Sequence, residues 1–271
     1  MCHRVTGVAS LCAAAVLAAC GSSQSSGTPS AGPSVILSTH FASLPDGSAT
    51  ISFDRSTQRL SLRISAHGFA PGRAHAVHIH AGSCLARSER VVAAFPDAAS
   101  DSSGMLALDA AALQRTPSGV PKGAYLDIHL VDSSALATAT PVDALPITCS
   151  DLAAGTAVSS VRLFPTPGHK PFGTATATWN GSARSLAVQL NLAALDAVSA
   201  HAVDIRAGAC KDGPGQLKYP APKIDADAAG AVDASVTVSG VEARPLSSGW
   251  FITIYLGTTT QPLLCGDLSA T

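Results

Sequence analysis

The sequence predicts an all-β chain: two tandem antiparallel Greek-key β-sandwich or barrel domains behind a leader and a flexible linker. Three observations carry this. Short segments such as SATISF, RLSLRIS, HAVHIH and AYLDIHL alternate apolar and polar residues, the period of a strand with one buried face. Clusters of Gly, Pro, Asp and Ser separate them, as turns require. The whole pattern then occurs a second time. One segment departs from it: LALDAAAL, around Leu108, is Ala-rich and reads as a short helical turn.

The duplication is direct. ATISF from Ala49 falls on ATATW from Ala175, HAVHIHAGSC from His75 on HAVDIRAGAC from His201, and YLDIHL from Tyr125 on FITIYL from Phe251, each at an offset of 126 residues. DSSG ending at Gly104 likewise falls on DAAG ending at Gly230. PITCSDL from Pro146 matches PLLCGDL from Pro262 at an offset of 116, so the connection after Leu130 is ten residues longer than its counterpart. The expected domains are 35–152 and 153–271.

The N-terminal end carries one Arg, Arg4, then a largely apolar, acid-free run from Val5 to Ala19. That run is shorter than the ~20 residues a membrane-spanning helix needs, and it reads as a signal peptide over 1–19. Leu17, Ala18, Ala19 and Cys20 resemble the lipobox of bacterial lipoproteins, which implies that Cys20 is acylated and anchors the chain to the outer face of a membrane. Residues 20–34, rich in Ser, Gly, Thr and Pro, read as the tether. With 17 basic against 18 acidic residues and no basic stripe, nucleic acid is not expected as a partner.

Of the seven cysteines, Cys2 and Cys12 fall in the leader and Cys20 at the lipid position. Cys84, Cys149, Cys210 and Cys265 remain, and an even number in an exported chain reads as disulfides. Four cysteines permit three pairings, and one of them gives each repeat the same bridge: Cys84 with Cys149 and Cys210 with Cys265. By loop-closure entropy each bridge stabilises its domain by ~3 to 4 kcal/mol.

Alternation along the strand from His75 sends His78 and His80 to one side and His75, Val77 and Ile79 to the other. In the strand from Tyr125, the apolar Leu126, Ile128 and Leu130 leave Tyr125, Asp127 and His129 on the opposite face. If the two strands are neighbours, three imidazoles converge, and imidazole suits copper and zinc. HAVHIHAGSC resembles the strand and loop of bacterial copper,zinc superoxide dismutases, TCSDL and LCGDL are similar to that family's last strand, and HIH with YxxxH is similar to the chordin-type CHRD domain. The resemblance implies copper ligation by His78, His80 and His129, a Cys84–Cys149 disulfide, and a bracing, non-ligand role for His75 that His201 repeats.

The departures are as specific. No histidine lies between His80 and His129, so the bridging and zinc ligands of that family are missing and no zinc site is expected. Leu145 to Thr148 stand where its guiding arginine would precede the last cysteine. In the second repeat Asp204, Arg206 and Tyr255 occupy the ligand positions, and no copper is expected there. Three readings follow: a copper-binding envelope lipoprotein without full dismutase activity, a copper-only dismutase, or a metal-free structural or partner-binding module whose histidines are polar residues of a partly exposed sheet face. His40, His67 and His169 read as surface histidines. No G-x-S-x-G elbow or Gly-rich phosphate loop is present, and Asp97, Asp101 and Asp109 lack calcium-loop spacing.

Overall fold

The structure is a computed structural model. It describes residues 34–138, 144, 146–165, 170–242 and 249–270. The leader, Cys20, the linker up to residue 33, Leu145 and His169 lie outside the described residues.

The first repeat forms β1 (Ser34–His40), β2 (Ala42–Ser43), β3 (Asp46–Asp54), β4 (Arg59–His67), β5 (Ala74–His75), β6 (Val77–Gly82), β7 (Arg87–Ala94), β8 (Ala98–Ala99), β9 (Leu106–Ala111), β10 (Ala124–His129), a one-turn helix α1 (Ser133–Leu136) and β11 (Pro146–Leu152). The second forms β12 (Ser159–Pro165), β13 (Phe172–Asn180), β14 (Ser185–Ala193), β15 (Ala200–Ala207), β16 (Gln216–Asp225), β17 (Val232–Ser239), β18 (Trp250–Tyr255) and β19 (Pro262–Ala270), with a 3-10 turn at Cys210–Asp212. The fold is all-β with curled, barrel-like sheets, as the alternation predicts. LALDAAAL is a correction to the sequence reading. It supplies β9, pairing antiparallel with β4 from Ser61↔Ala111 to Ala66↔Leu106. Burial of Leu106 and Ala112 in the first core outweighs the helical preference of alanine.

Alternation explains the two central hairpins. In β4, Leu60, Leu62, Ile64 and Ala66 point into one core; in β14, Leu186, Val188, Leu190 and Leu192 point into the other. Turn chemistry repeats with them. Asp54 Oδ1 accepts from Ser56 N at 2.7 Å and Asn180 Oδ1 from Ala183 N at 3.0 Å, while Gln58 and Arg184 close the turns at φ 54° and 47°. Asp101 and Asp227 each hold two downstream amides, and Gly104 and Gly230 follow at positive φ. A Cβ on either glycine would lie 2.5 Å from Phe69 O or 2.1 Å from Leu195 O, which explains the repeated D-x-x-G.

The sheets do not follow the repeats. Their strand orders are β7-β6-β10-β11-β12-β3-β4-β9 and β16-β15-β18-β19-β1-β13-β14-β17. The same order recurs, except that each repeat lends its leading strand to the other. β1 pairs with β13 over seven residues, Ser34↔Asn180 to His40↔Thr174, and β12 with β3 over five, Ser159↔Ile51 to Leu163↔Gly47. Leu37 thereby joins the second core and Leu163 the first, both fully buried and each contributing about 2 kcal/mol. On the surface Arg162 of β12 makes a two-pronged ion pair with Asp46 of β3, at 3.0 and 2.9 Å.

A second link joins the barrels. Gln261 is fully buried: its Oε1 accepts from Ala70 N at 3.0 Å, and its Nε2 donates to Gly68 O at 2.8 Å and Pro262 O at 2.9 Å. Leu256, next to it, packs on the first core. Disulfides close each barrel as repeat symmetry requires, Cys84–Cys149 and Cys210–Cys265. In each repeat the Asp two residues after the second cysteine accepts from the first cysteine's amide, Asp151 at 2.7 Å and Asp267 at 2.8 Å.

Because each barrel is incomplete without the other repeat, the two unfold together. Differential scanning calorimetry should show one transition whose calorimetric and van't Hoff enthalpies agree. Gln261→Ala, which strands Ala70 N and Gly68 O, should lower its stability by about 1 to 3 kcal/mol without splitting it. Two separable transitions in the unmodified protein would contradict the coupling.

Candidate metal centre

β6 and β10 are adjacent and antiparallel, with Asp127 opposite His78 and Tyr125 opposite His80. The neighbourhood that convergence of the histidines required is therefore present. His78, His80, Asp127 and His129 are all buried, at 9, 7, 1 and 6% exposure. This corrects the reading of the histidines as residues of a partly exposed face. Imidazole centroids lie 5.4 Å apart for His78 and His80, 5.2 Å for His78 and His129, and 6.0 Å for His80 and His129.

The backbone decides which nitrogens face the centre. His80 Nδ1 lies 3.0 Å from Ser88 O and His129 Nδ1 lies 2.9 Å from Ala144 O. A carbonyl only accepts, so both Nδ1 atoms carry hydrogen, and in the neutral form of each ring the lone pair is on Nε2. His80 Nε2 and His129 Nε2 each stand 3.5 Å from the Asp127 carboxylate, on separate oxygens, beyond a good hydrogen bond. His78 Nδ1, His80 Nε2, His129 Nε2 and Asp127 Oδ1 are all buried without a hydrogen-bond partner. One ligand atom from each of the four residues lies within 4.8 Å of the others. A tetrahedral ion with bonds near 2.1 Å sets ligand atoms roughly 3.4 Å apart, so small side-chain movements suffice to close around one. Each of the four clustered residues thus carries a buried polar atom without a partner, which is costly, and a cation bound among them offsets that cost. The group can hold a metal ion. Three imidazoles and a carboxylate suit copper and zinc alike.

The surrounding residues fix the ligands in place. Tyr125 stacks on His80 at 5.5 Å and donates its hydroxyl to Ser88 O at 3.1 Å, the same carbonyl that orients His80. His75 sits behind the site with Nδ1 2.8 Å from His129 O, and its ring is edge-on to Phe69. His201 repeats that bond in the second repeat, Nδ1 to Tyr255 O at 2.8 Å, and adds a Ser199 Oγ contact at 2.7 Å. His40 is exposed and His67 half-buried.

Asp127 is the ligand candidate that counting histidines misses. Its position on the His129 face was legible, but its partnership with His78 depends on strand register. In the second repeat Asp204, Arg206, Thr253 and Tyr255 stand at the equivalent positions. Arg206 Nη1 donates to Asp204 Oδ2 at 2.6 Å and to Tyr255 Oη at 2.9 Å, and Tyr255 donates to Asp204 Oδ2 at 2.9 Å. A guanidinium thus lies where the first repeat gathers ligands. No family model matches this chain, and no curated protein matches it.

Charge at the centre is divided. Burial, then the neighbouring His129 and His80, depress the pKa of His78 from 6.5 to about 4. Burial also works against a charged His129, but Asp127 and the Ala144 carbonyl outweigh it and raise that pKa above 6.5. His78 is therefore neutral in the fold at pH values where it is protonated in the unfolded chain. Between pH 6.5 and about 4 the unfolded state binds the extra proton, and stability falls as pH falls. The raised pKa of His129 acts oppositely: its contribution is full below 6.5 and is lost as pH rises through the folded value. Urea unfolding of the metal-free protein should show a His78 contribution of up to about 3 kcal/mol lost across the acidic window. His78→Asn should lack it; the same pH slope in variant and parent would refute the assignment.

Proposed function

We propose that this is an exported, lipid-anchored envelope protein whose first barrel binds one copper ion through His78, His80 and His129, with Asp127 as fourth ligand. The observation that carries the reading is the buried group of His78, His80, Asp127 and His129, which offer ligand atoms within 4.8 Å of one another and each carry a polar atom without a partner. The preference for copper rests on the resemblance of HAVHIHAGSC and TCSDL to bacterial copper,zinc superoxide dismutases, and export rests on the Cys20 lipobox, which the two disulfides favour.

A bound copper ion supplies a one-electron couple; the chain's own residues supply its coordination. Ser88 O and Ala144 O hold two imidazoles in the ligating tautomer, and His75 braces the His129 backbone. Fast dismutation is not part of the proposal. Asp127 places a carboxylate at the centre, the bridging histidine is absent, and no arginine stands in the four residues before Cys149 to attract an anionic substrate. Binding and retention of copper at the membrane surface is the role these residues support.

Copper titration of the metal-free protein should give one equivalent, with electron paramagnetic resonance showing nitrogen ligands. Replacing His78, His80 and His129 together by Ala should abolish it, and Asp127→Asn should weaken it. Preference for zinc in direct competition, or copper uptake unaffected by the triple substitution, would reject the copper assignment. Dismutase turnover should not exceed that of free copper. Independently, Cys20→Ala should move the protein from the membrane to the soluble fraction.

A further inference from the structure

The second barrel's counterpart of the metal centre lines a cleft between the barrels. In the first repeat Ala144, between β10 and β11, places its carbonyl 2.9 Å from His129 Nδ1. In the second, the connection from β18 to β19 is ten residues shorter and is pulled tight, Leu256 N donating to Gln261 O at 2.8 Å. Asp204, Arg206 and Tyr255 line a cavity of about 570 Å³ whose other wall comes from the first repeat. That size suits a small organic ligand.

The walls are held by contacts already described. Exchanged strands tie the barrels together, Gln261 bonds across them, and Gly213 presses so closely on Ser103 that a Cβ would lie 2.6 Å from its carbonyl oxygen. The cleft is therefore part of the fold.

Its chemistry is two-sided. Phe251, Leu44, Phe69, Met105 and Pro262 give it an apolar body. The floor triad is neutral as a unit and internally satisfied: beyond its bonds to Asp204 and Tyr255, Arg206 donates to the carbonyls of Pro214 and Gly215. At the exposed rim stand Arg73 and Lys211, neither in an ion pair among the described residues, and a single carboxylate, Asp212. An excess of unpaired cation beside an apolar chamber is complementary to an amphiphilic anion. We propose that this cleft binds a small organic acid, its apolar body against Phe251 and Met105 and its anionic group at Arg73 and Lys211. The site is separate from the copper centre.

Anilinonaphthalene sulfonate, an aromatic body bearing one anionic group, is a direct probe. Titrated into the native protein it should bind with one-to-one stoichiometry. Arg73→Glu combined with Lys211→Glu should weaken it at least about ten-fold, the loss of two charge contacts. Met105→Trp, at a partly exposed wall position, should block it by filling the chamber. Copper stoichiometry and circular dichroism, unchanged in these variants, report that the fold survives. Binding unaffected by both variants would overturn the site. Equal affinity for the uncharged N-phenylnaphthylamine, or no saturable binding of the sulfonate, would overturn the anion assignment.

Discussion

Everything in this molecule depends on the exchange of β1 and β12. Two independent barrels in series are the simpler product of a duplicated chain. Instead each sheet has a gap between its last strand and its β3-type strand, and the other repeat fills it. Seven pairs on one side and five on the other, with Leu37 and Leu163 sealing the opposite cores, turn two domains' worth of sequence into one cooperative body. The cleft between the barrels, and the bond from Gln261 that spans it, presuppose this arrangement.

Within that body the repeats have diverged at one place. The same two paired strands present three imidazoles and a carboxylate in one barrel, and a carboxylate, a guanidinium and a phenol in the other. The first set leaves lone pairs aimed at a common point. The second has the cation built into a side chain, so its carboxylate is already satisfied. The connection lengths differ as well, the one after β10 being ten residues longer than the one after β18.

Much of this was legible in the residues. Alternation in RLSLRIS and HAVHIH gave the strands, clusters of Gly, Pro, Asp and Ser marked the turns between them, and repeat symmetry chose the disulfides. The exchange was not legible, because SVIL and SVRL carry the same pattern and either strand satisfies either sheet. Asp127 was visible on the right face but acquired a meaning only through its register opposite His78. Ala-rich LALDAAAL misled toward a helix since local preference carries no information about the waiting edge of β4. The depth of the histidines was hidden for a related reason: a strand pattern says which face a side chain takes, not what lies over it.

The exchange also changes what the linker between the repeats is for. Residues 153–158 are mostly exposed, and their main tie is the bridge of Gly155 to Val120. Chain continuity there is not what keeps the halves together. Were that segment cut, each fragment would still be threaded through the other's sheet and closed by its own disulfide, two pieces interlocked as a clasp is. The repeat boundary, the obvious place to divide this protein, is thus a seam in the gene and not in the molecule.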